Sequence, residues 1–226
     1  MIQRPELQML KENGYVFDDP FDVISMFEKK IADYTGAPYV TVTDCCTHAL
    51  ELCLRYKQLI GEKVPKLKIP AYTYISVPMM IRKVGEEFEW HKDLWNGFYY
   101  LAPTNIIDMA VRFTKDCYIP KTECCLSFQN KKVLKINRGG AILTDNKQAH
   151  DYYQLASRDG RNFNFKPWAT QQNFNTLGYH YNLTSEDCAR GILLMDELSQ
   201  HGPNNPDAFN DCRDYYSDMS LLNLTF

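Results

Sequence analysis

Three stretches of this 226-residue sequence hold side chains whose types and places could do chemistry. The first is Asp44-Cys45-Cys46-Thr47, a polar turn between a β-branched run and a helical pattern. A turn that leaves a strand and opens a helix presents unpaired N–H groups and the positive end of the helix dipole. Cys46 and Thr47 could bind a phosphate there, with the Thr47 hydroxyl adding a contact; equally, Thr47 could cap the helix. The second is Asp108, directly after Ile106-Ile107. A carboxylate at the end of a buried strand needs a cation, an N–H partner or solvent. A protonated ring nitrogen of a bound cofactor is one such partner, and the next backbone turn is another. The third is Lys132, in Ser127-Phe128-Gln129-Asn130-Lys131-Lys132, followed by Gly139-Gly140. A lysine just past a buried strand can lose hydration, which lowers its pKa and makes the amine a usable nucleophile. The plain alternative is a solvated loop lysine.

Strands and helices must hold these groups in place. Phe21, Val23, Ile24, Phe27 and Ile31 recur at helical spacing after Pro20, with Asp18 or Asp19 as a cap. Tyr39–Thr43 (YVTVT) predicts a strand and His48–Leu59 a helix, together the first half of a βαβ unit. Lys66–Ile69, Gly85–Trp90, Gly97–Leu101, Ile106–Asp108, Cys124–Phe128 and Gly140–Thr144 read as further strands. Tyr74–Val84, Lys147–Ser157 and Ser185–Leu198 read as helices, the last capped by Thr184 or Ser185. Residues 1–19 look like a lead-in, polar at its start. Residues 158–178 form a long Asn-, Gln- and Gly-rich loop, a length that usually signals function or disorder. A last helix is predicted from about Ala208 to Leu222. The alternation implies an α/β fold: a mainly parallel sheet flanked by helices, in a single domain over 1–226. Ligands in such sheets sit at the carboxyl ends of strands.

Composition narrows the function classes. A net charge of −3 suggests no nucleic-acid or anionic-membrane partner. The opening MIQRPELQMLKENG has no apolar core of a signal peptide, and no apolar run approaches the about 20 residues that span a bilayer. The expected location is therefore the cytoplasm. The eight cysteines include no C-x-x-C, so zinc-ribbon spacing is absent, no metal is expected, and free thiols are. No G-x-G-x-x-G or Walker sequence supports an unrelated nucleotide-binding fold.

The order and spacing of these residues resemble the DegT/DnrJ/EryC1/StrS sugar aminotransferases, which have the fold type I architecture and use pyridoxal 5′-phosphate (PLP). FEKKIADYTGAPYVTVTDCCTHALELCL looks like the family's opening helix, strand and G-T-x-A-L phosphate turn. IPAYTYISV is similar to its P-x-x-T-aromatic segment, and IIDMA to its I-E-D-x-A. SFQNKKVLKINRGGAILTDN is similar to the stretch that carries the Schiff-base lysine, and LGYHYNLTSEDCARGILLMDEL to the G-Y-x-Y segment with its helix.

The resemblance covers most of residues 25–220 and implies roles. Lys132, by its spacing from Ser127 and Gly139, would be the Schiff-base lysine rather than Lys131. Asp108 would hold the pyridine nitrogen and Tyr74 would stack on the ring. Cys46, Thr47 and Ser127 would bind the phosphate. Asn182 would reach the phosphate of a partner subunit in a homodimer, with the 158–178 loop at the interface. His180, in the same turn, has no clear role. The implied reaction moves an amino group from glutamate or glutamine to a keto sugar attached to a nucleotide. Several residues depart from the family. Val111 stands where Gln or His is usual, Arg138 replaces an acidic residue, and Cys46 replaces a glycine. The stretch from Val84 to Asp108 is short, as if a strand–helix unit were missing, and most of the small C-terminal domain is expected to be absent. A second reading follows from these departures: a PLP-binding protein of the same fold, a relic or a regulatory module, with little turnover.

Overall fold

The computed structural model describes residues 4–163, 165, 170–171, 173–201 and 210–224. Seven strands and six α-helices are formed in this part of the chain. β1 (Tyr39–Thr43), β7 (Gly140–Thr144), β6 (Glu123–Ser127), β5 (Ile106–Asp108) and β4 (Tyr99–Tyr100) lie side by side in that order. β2 (Leu67–Pro70) and β3 (Phe88–His91) pair in parallel, and a backbone bridge from Lys68 to Ala102 joins them to the β4 edge. β1, β2, β3, β5 and β6 run in one sense, while β7 and β4 run against them. The sheet is thus mainly parallel in strand direction, although the β1–β7, β6–β7 and β4–β5 pairings are antiparallel.

Side chains alternate between two cores, as the period of two in a strand requires. Cys124 and Leu126 of β6, Ala141 and Leu143 of β7, Val40 and Val42 of β1 and Ile107 of β5 face one core. There they meet α1 (Pro5–Glu12), α2 (Asp22–Thr35) and α6 (Ser185–His201). Cys125, Ile142 and Ile106 face the other, with α3 (Cys46–Leu59), α4 (Ser76–Lys83) and α5 (Lys147–Ala156). A sheet covered on both faces explains why β6 and β7 read as unbroken apolar runs.

Local signals set the helix ends. Gly36, at φ 76°, closes α2 with its N–H on the Ala32 carbonyl, a left-handed position that glycine takes without strain. Asn146 caps α5 by accepting from the N–H groups of Gln148 and Ala149. Thr184, not Ser185, caps α6: its Oγ1 accepts the Asp187 N–H at 3.1 Å. At the start of α2, Asp19 accepts the Phe21 N–H and Asp22 accepts that of Asp19, a reciprocal box in which Asp18 takes no part.

Two features here differ from the sequence reading. The lead-in holds a helix that the reading did not include, Pro5–Glu12, which buries Leu7 and Leu10 against α6. Its polar composition hid an i, i+3 apolar pair, and Arg190 reaches back to Glu6 at 2.7 Å. The last helix does not form among residues 210–224, which hold two short 3₁₀ turns, Cys212–Asp214 and Met219–Leu221. Residues 202–209, where it was to begin, lie outside the described residues, as do 164, 166–169 and 172 of the 158–178 loop.

Gly140 marks the tightest approach near the sheet's carboxyl edge. A Cβ there would lie 2.6 Å from the Cys45 carbonyl carbon and the Cys46 nitrogen, and 2.8 Å from the Leu126 oxygen. All three are backbone atoms and cannot swing aside. Gly140→Ala is therefore expected to cost about 1–3 kcal/mol of overpacking, read as a lower urea midpoint with an unchanged m-value.

Candidate active site at the carboxyl edge of the sheet

β1, β5 and β6 end together, and α3 begins beside them. Register fixes this: Thr43 lies opposite Gly140, Gly140 opposite Ser127, and Asp108 opposite Cys125. A cleft of about 750 Å³ opens at this edge. Cys46, Thr47, Tyr74, Asp108, Ser127 and Lys132 all line it. Six of the seven residues singled out in the sequence therefore meet in one place, the carboxyl edge where open α/β sheets bind ligands. Asn182 does not line this cleft; its Oδ1 is buried with no hydrogen-bond partner among the described residues.

The first turn of α3 is open. Its N-cap is Cys45, in extended conformation, and no side chain caps it. Thr47 is not the cap: its hydroxyl lies 2.7 Å from the Ser76 hydroxyl. The Cys46 thiol points into the sheet, donating to the Cys125 carbonyl at 3.5 Å, and burial pushes its pKa well up. What this turn offers the cleft is therefore backbone N–H groups and a helix dipole, a ready anion site.

Asp108 ends β5 and is buried. Its Oδ2 accepts the Tyr99 hydroxyl at 2.7 Å and its Oδ1 the Ala110 N–H at 2.9 Å, so it does take part in the next turn. Burial pushes its pKa up, against these two hydrogen bonds and the charge of Lys132. A carboxylate accepts more than two bonds, so lone-pair capacity remains toward the cleft. Tyr99 is held from behind by Thr73, at 2.5 Å.

Lys132 sits in the β6–β7 loop. Phe128 and Gly139 close the loop's neck through a backbone bond of 2.9 Å, and buried Leu134 and Ile136 pin its far side. The Lys132 N–H bonds the Gln129 carbonyl at 2.8 Å, which turns the side chain into the cleft. Desolvation lowers the amine's pKa, opposed by Asp108 and Cys46. An acid pushed up and a base pushed down, in one cleft, is an arrangement suited to proton transfer.

Sequence reading missed three groups here. Tyr99 lay in an aromatic stretch with nothing to single it out. Tyr216 came from a distant segment, yet its hydroxyl accepts from Lys132 Nζ at 3.3 Å. The third is a charge cluster at the rim, where Asp44 binds both His48 and Arg138 at 2.5 Å, and His48 stacks on Tyr181 at 3.6 Å. Its visible signal was Arg138, placed where the related family has an acid. Asp44, Cys45 and His48 bring possible ligand atoms within 4.8 Å of one another, with one Asp44 oxygen on His48 and the other on Arg138. His180 points elsewhere, to Asp159 at 2.9 Å.

An α/β sheet with a lysine, a buried carboxylate and a helix N-terminus at one carboxyl edge is the large-domain architecture of fold type I PLP enzymes. The chain belongs to the DegT/DnrJ/EryC1/StrS aminotransferase family, whose model matches residues 6–90 and 121–210. PLP is the cofactor of that family. No curated protein matches the chain at a significant level. Among solved structures, AtS13 from Actinomadura melliaura is similar over 88% of this chain and 66% of its own, at 16% identity and a TM-score of 0.64. The sugar aminotransferase CalS13 from Micromonospora echinospora gives 87%, 65%, 13% and 0.62. A GDP-4-keto-6-deoxymannose-3-dehydratase, ColD, solved with bound GDP-perosamine, gives 87%, 65%, 12% and 0.64. The chain spans just under two-thirds of these structures, and the likeness is one of fold. No described helix is long and apolar enough to cross a membrane.

The rim cluster carries a pH signature. Burial works against a charge on His48, but hydrogen bonds to Asp44 and Cys45 outweigh it and raise its pKa to about 9. The His48–Asp44 pair therefore stabilises the fold fully below the unfolded histidine value of about 6.5 and is lost as pH rises to about 9. Urea unfolding at fixed ionic strength should show stability falling across that window, by at most about 1.4 kcal/mol per pH unit. His48→Gln should flatten the slope there.

Proposed function

We propose that the chain is a PLP-dependent aminotransferase that moves an amino group from glutamate or glutamine to a keto sugar attached to a nucleotide. The observation that carries this reading is the convergence of Lys132, Asp108 and the open first turn of α3 in one cleft. The residues fit the cofactor. The uncapped turn with Ser127 and Thr47 offers donors for a phosphate, Asp108 keeps acceptor capacity for a ring nitrogen, and Lys132 has an amine of lowered pKa for a carbonyl. Tyr74, exposed at the cleft wall, offers an aromatic face. When bound, the cofactor supplies an electron-withdrawing ring and a carbonyl that takes up the donor's amino group.

The chain's own residues do the rest. Asp108, held by Tyr99 and the Ala110 N–H, would keep a proton on the cofactor's ring nitrogen. Lys132 Nζ, whose pKa desolvation lowers, would take up the proton from the donor's α-carbon and hold it for its return. Val77 and Val111, buried in the wall, keep water from that exchange. Donor, acceptor and a cytoplasmic location rest on the family alone. A homodimer with a shared site is part of the proposal, supported by Asn182, which lies away from this chain's own cleft.

A second reading has its own observation. Val111 lines the cleft where the family usually carries Gln or His, and cannot hydrogen-bond a cofactor. That favours a PLP-binding protein with little turnover.

Added PLP should give a visible band that borohydride fixes as a covalent adduct at Lys132, and Lys132→Ala should abolish both. With glutamate as donor the wild-type band should bleach, and Lys132→Ala should lose at least about 100-fold in turnover. A fixed band that no amino donor bleaches would select the second reading, and no band would end both.

A further inference from the structure

One wall of the cleft comes from a segment beyond the family match. Residues 211–224 hold themselves to the body by backbone bonds. The Cys212 N–H donates to the Trp95 carbonyl at 3.1 Å and the Met219 N–H to the Ala71 carbonyl at 2.8 Å, while Asp211 bridges Asn96 and Asp218 bridges Tyr72. Trp95 Nε1 locks onto the Tyr72 carbonyl at 2.9 Å, and its ring centroid lies 6.0 Å from that of Tyr216. Tyr216 is thereby pressed against Lys132: its hydroxyl is 3.3 Å from Nζ and its ring centroid 5.6 Å.

We propose that Tyr216 is the positioning residue for Lys132: its ring keeps water from the amine, and its hydroxyl fixes where Nζ points. This rests on the reading of Lys132 as the cofactor-binding lysine. A four-carbon stem leaves a lysine amine free to wander unless something holds it. Asp108 faces the amine from β5 and Cys46 from α3; Asp214 lies beside Tyr216, and Lys131 and Arg138 line the rim. Among the described residues, Tyr216 alone makes a side-chain hydrogen bond to Nζ. A phenol suits the task because it accepts from an ammonium and donates to a free amine, so it follows both states of a proton carrier. Burial pushes the Tyr216 pKa up, which keeps the hydroxyl neutral in either state.

Competitive acetylation of amines in the cofactor-free protein, read by mass spectrometry across pH with exposed Lys131 as internal standard, reports the ionisation of Lys132 without any activity. Tyr216→Ala should move the titration of Lys132 up toward that of an ordinary lysine. Its labelling at neutral pH should then fall about tenfold for every pH unit by which the titration midpoint rises. Tyr216→Leu, which keeps bulk, should move it less. Tyr216→Phe should leave ionisation near wild type but slow PLP capture several-fold, measured as the borohydride-fixed adduct. Wild-type labelling in folded Ala and Leu variants, or wild-type capture in the Phe variant, would overturn the proposal. If the labelling changes as expected but wild type never captures PLP, Tyr216 keeps its role toward the amine and the aminotransferase reading falls.

Discussion

Keeping an amine and a carboxylate in one water-poor cleft is the constraint on which the rest of this structure depends. Each group alone would be driven toward its neutral form. Together they hold each other in a usable range: Lys132 tempers the rise at Asp108, and Asp108 tempers the fall at Lys132. Such a pair needs its remaining lone pairs and protons satisfied, or the cost of desolvation exceeds the mutual attraction. The Tyr99 hydroxyl and Ala110 N–H do part of this for the acid, and the Tyr216 hydroxyl part of it for the amine. Three separate parts of the chain, the β4 edge, the turn after β5 and the C-terminal segment, are thus committed to one pair of charges.

The sheet accommodates this with an altered edge. A parallel strand pair needs a crossover of a dozen or more residues, whereas an antiparallel pair closes through a short turn. β4 and β5 are joined only by residues 101–105 and run antiparallel. The family match is interrupted over residues 91–120, which include both strands. What survives there is a place for Asp108 beside Cys125 and a hydroxyl from Tyr99 behind it. The same short strand continues to Ala102, which joins β2 and β3 to the sheet through Lys68. The family match lapses in this region, and the strand end that carries the acid is in place beside β6.

Much of the site was legible because its residues are tied to local features. Cys46, Thr47 and Asp108 stand at a strand end or a helix start, places that β-branched runs with polar turns reveal, whereas Ser127 and the choice of Lys132 in the loop after β6 came from the family resemblance. β1 and β7 emerged with the boundaries expected of them. Tyr216 was illegible because its position depends on backbone pairing with residues 71–72 and 95–96, more than a hundred residues away. The same pairing explains the missing last helix. Backbone groups of residues 211, 212, 218 and 219 bond to the body of the protein, and Asp211 and Asp218 cap 3₁₀ turns that a longer helix would have absorbed. The α1 helix was overlooked for the opposite reason: two buried leucines suffice once α6 is there to receive them, and α6 lies far along the chain.

The departures from the family are best judged by what each replaced residue would have had to do. A glycine at position 46 matters only if the backbone needs a left-handed conformation or if a side chain would crowd the phosphate. Neither holds. Cys46 is the first residue of a right-handed helix and is not among the residues of positive φ, and its side chain turns away into the sheet toward the Cys125 carbonyl. Arg138 reverses the charge expected at its position, yet its guanidinium crosses to Asp44, which also holds the charged His48. The rim therefore remains a paired cluster, one positive charge in excess, beside a turn suited to an anion. Val111 has no such compensation within its own strand–turn region. The hydroxyl of Tyr216, on a segment laid across the cleft, serves a different partner, the amine of Lys132.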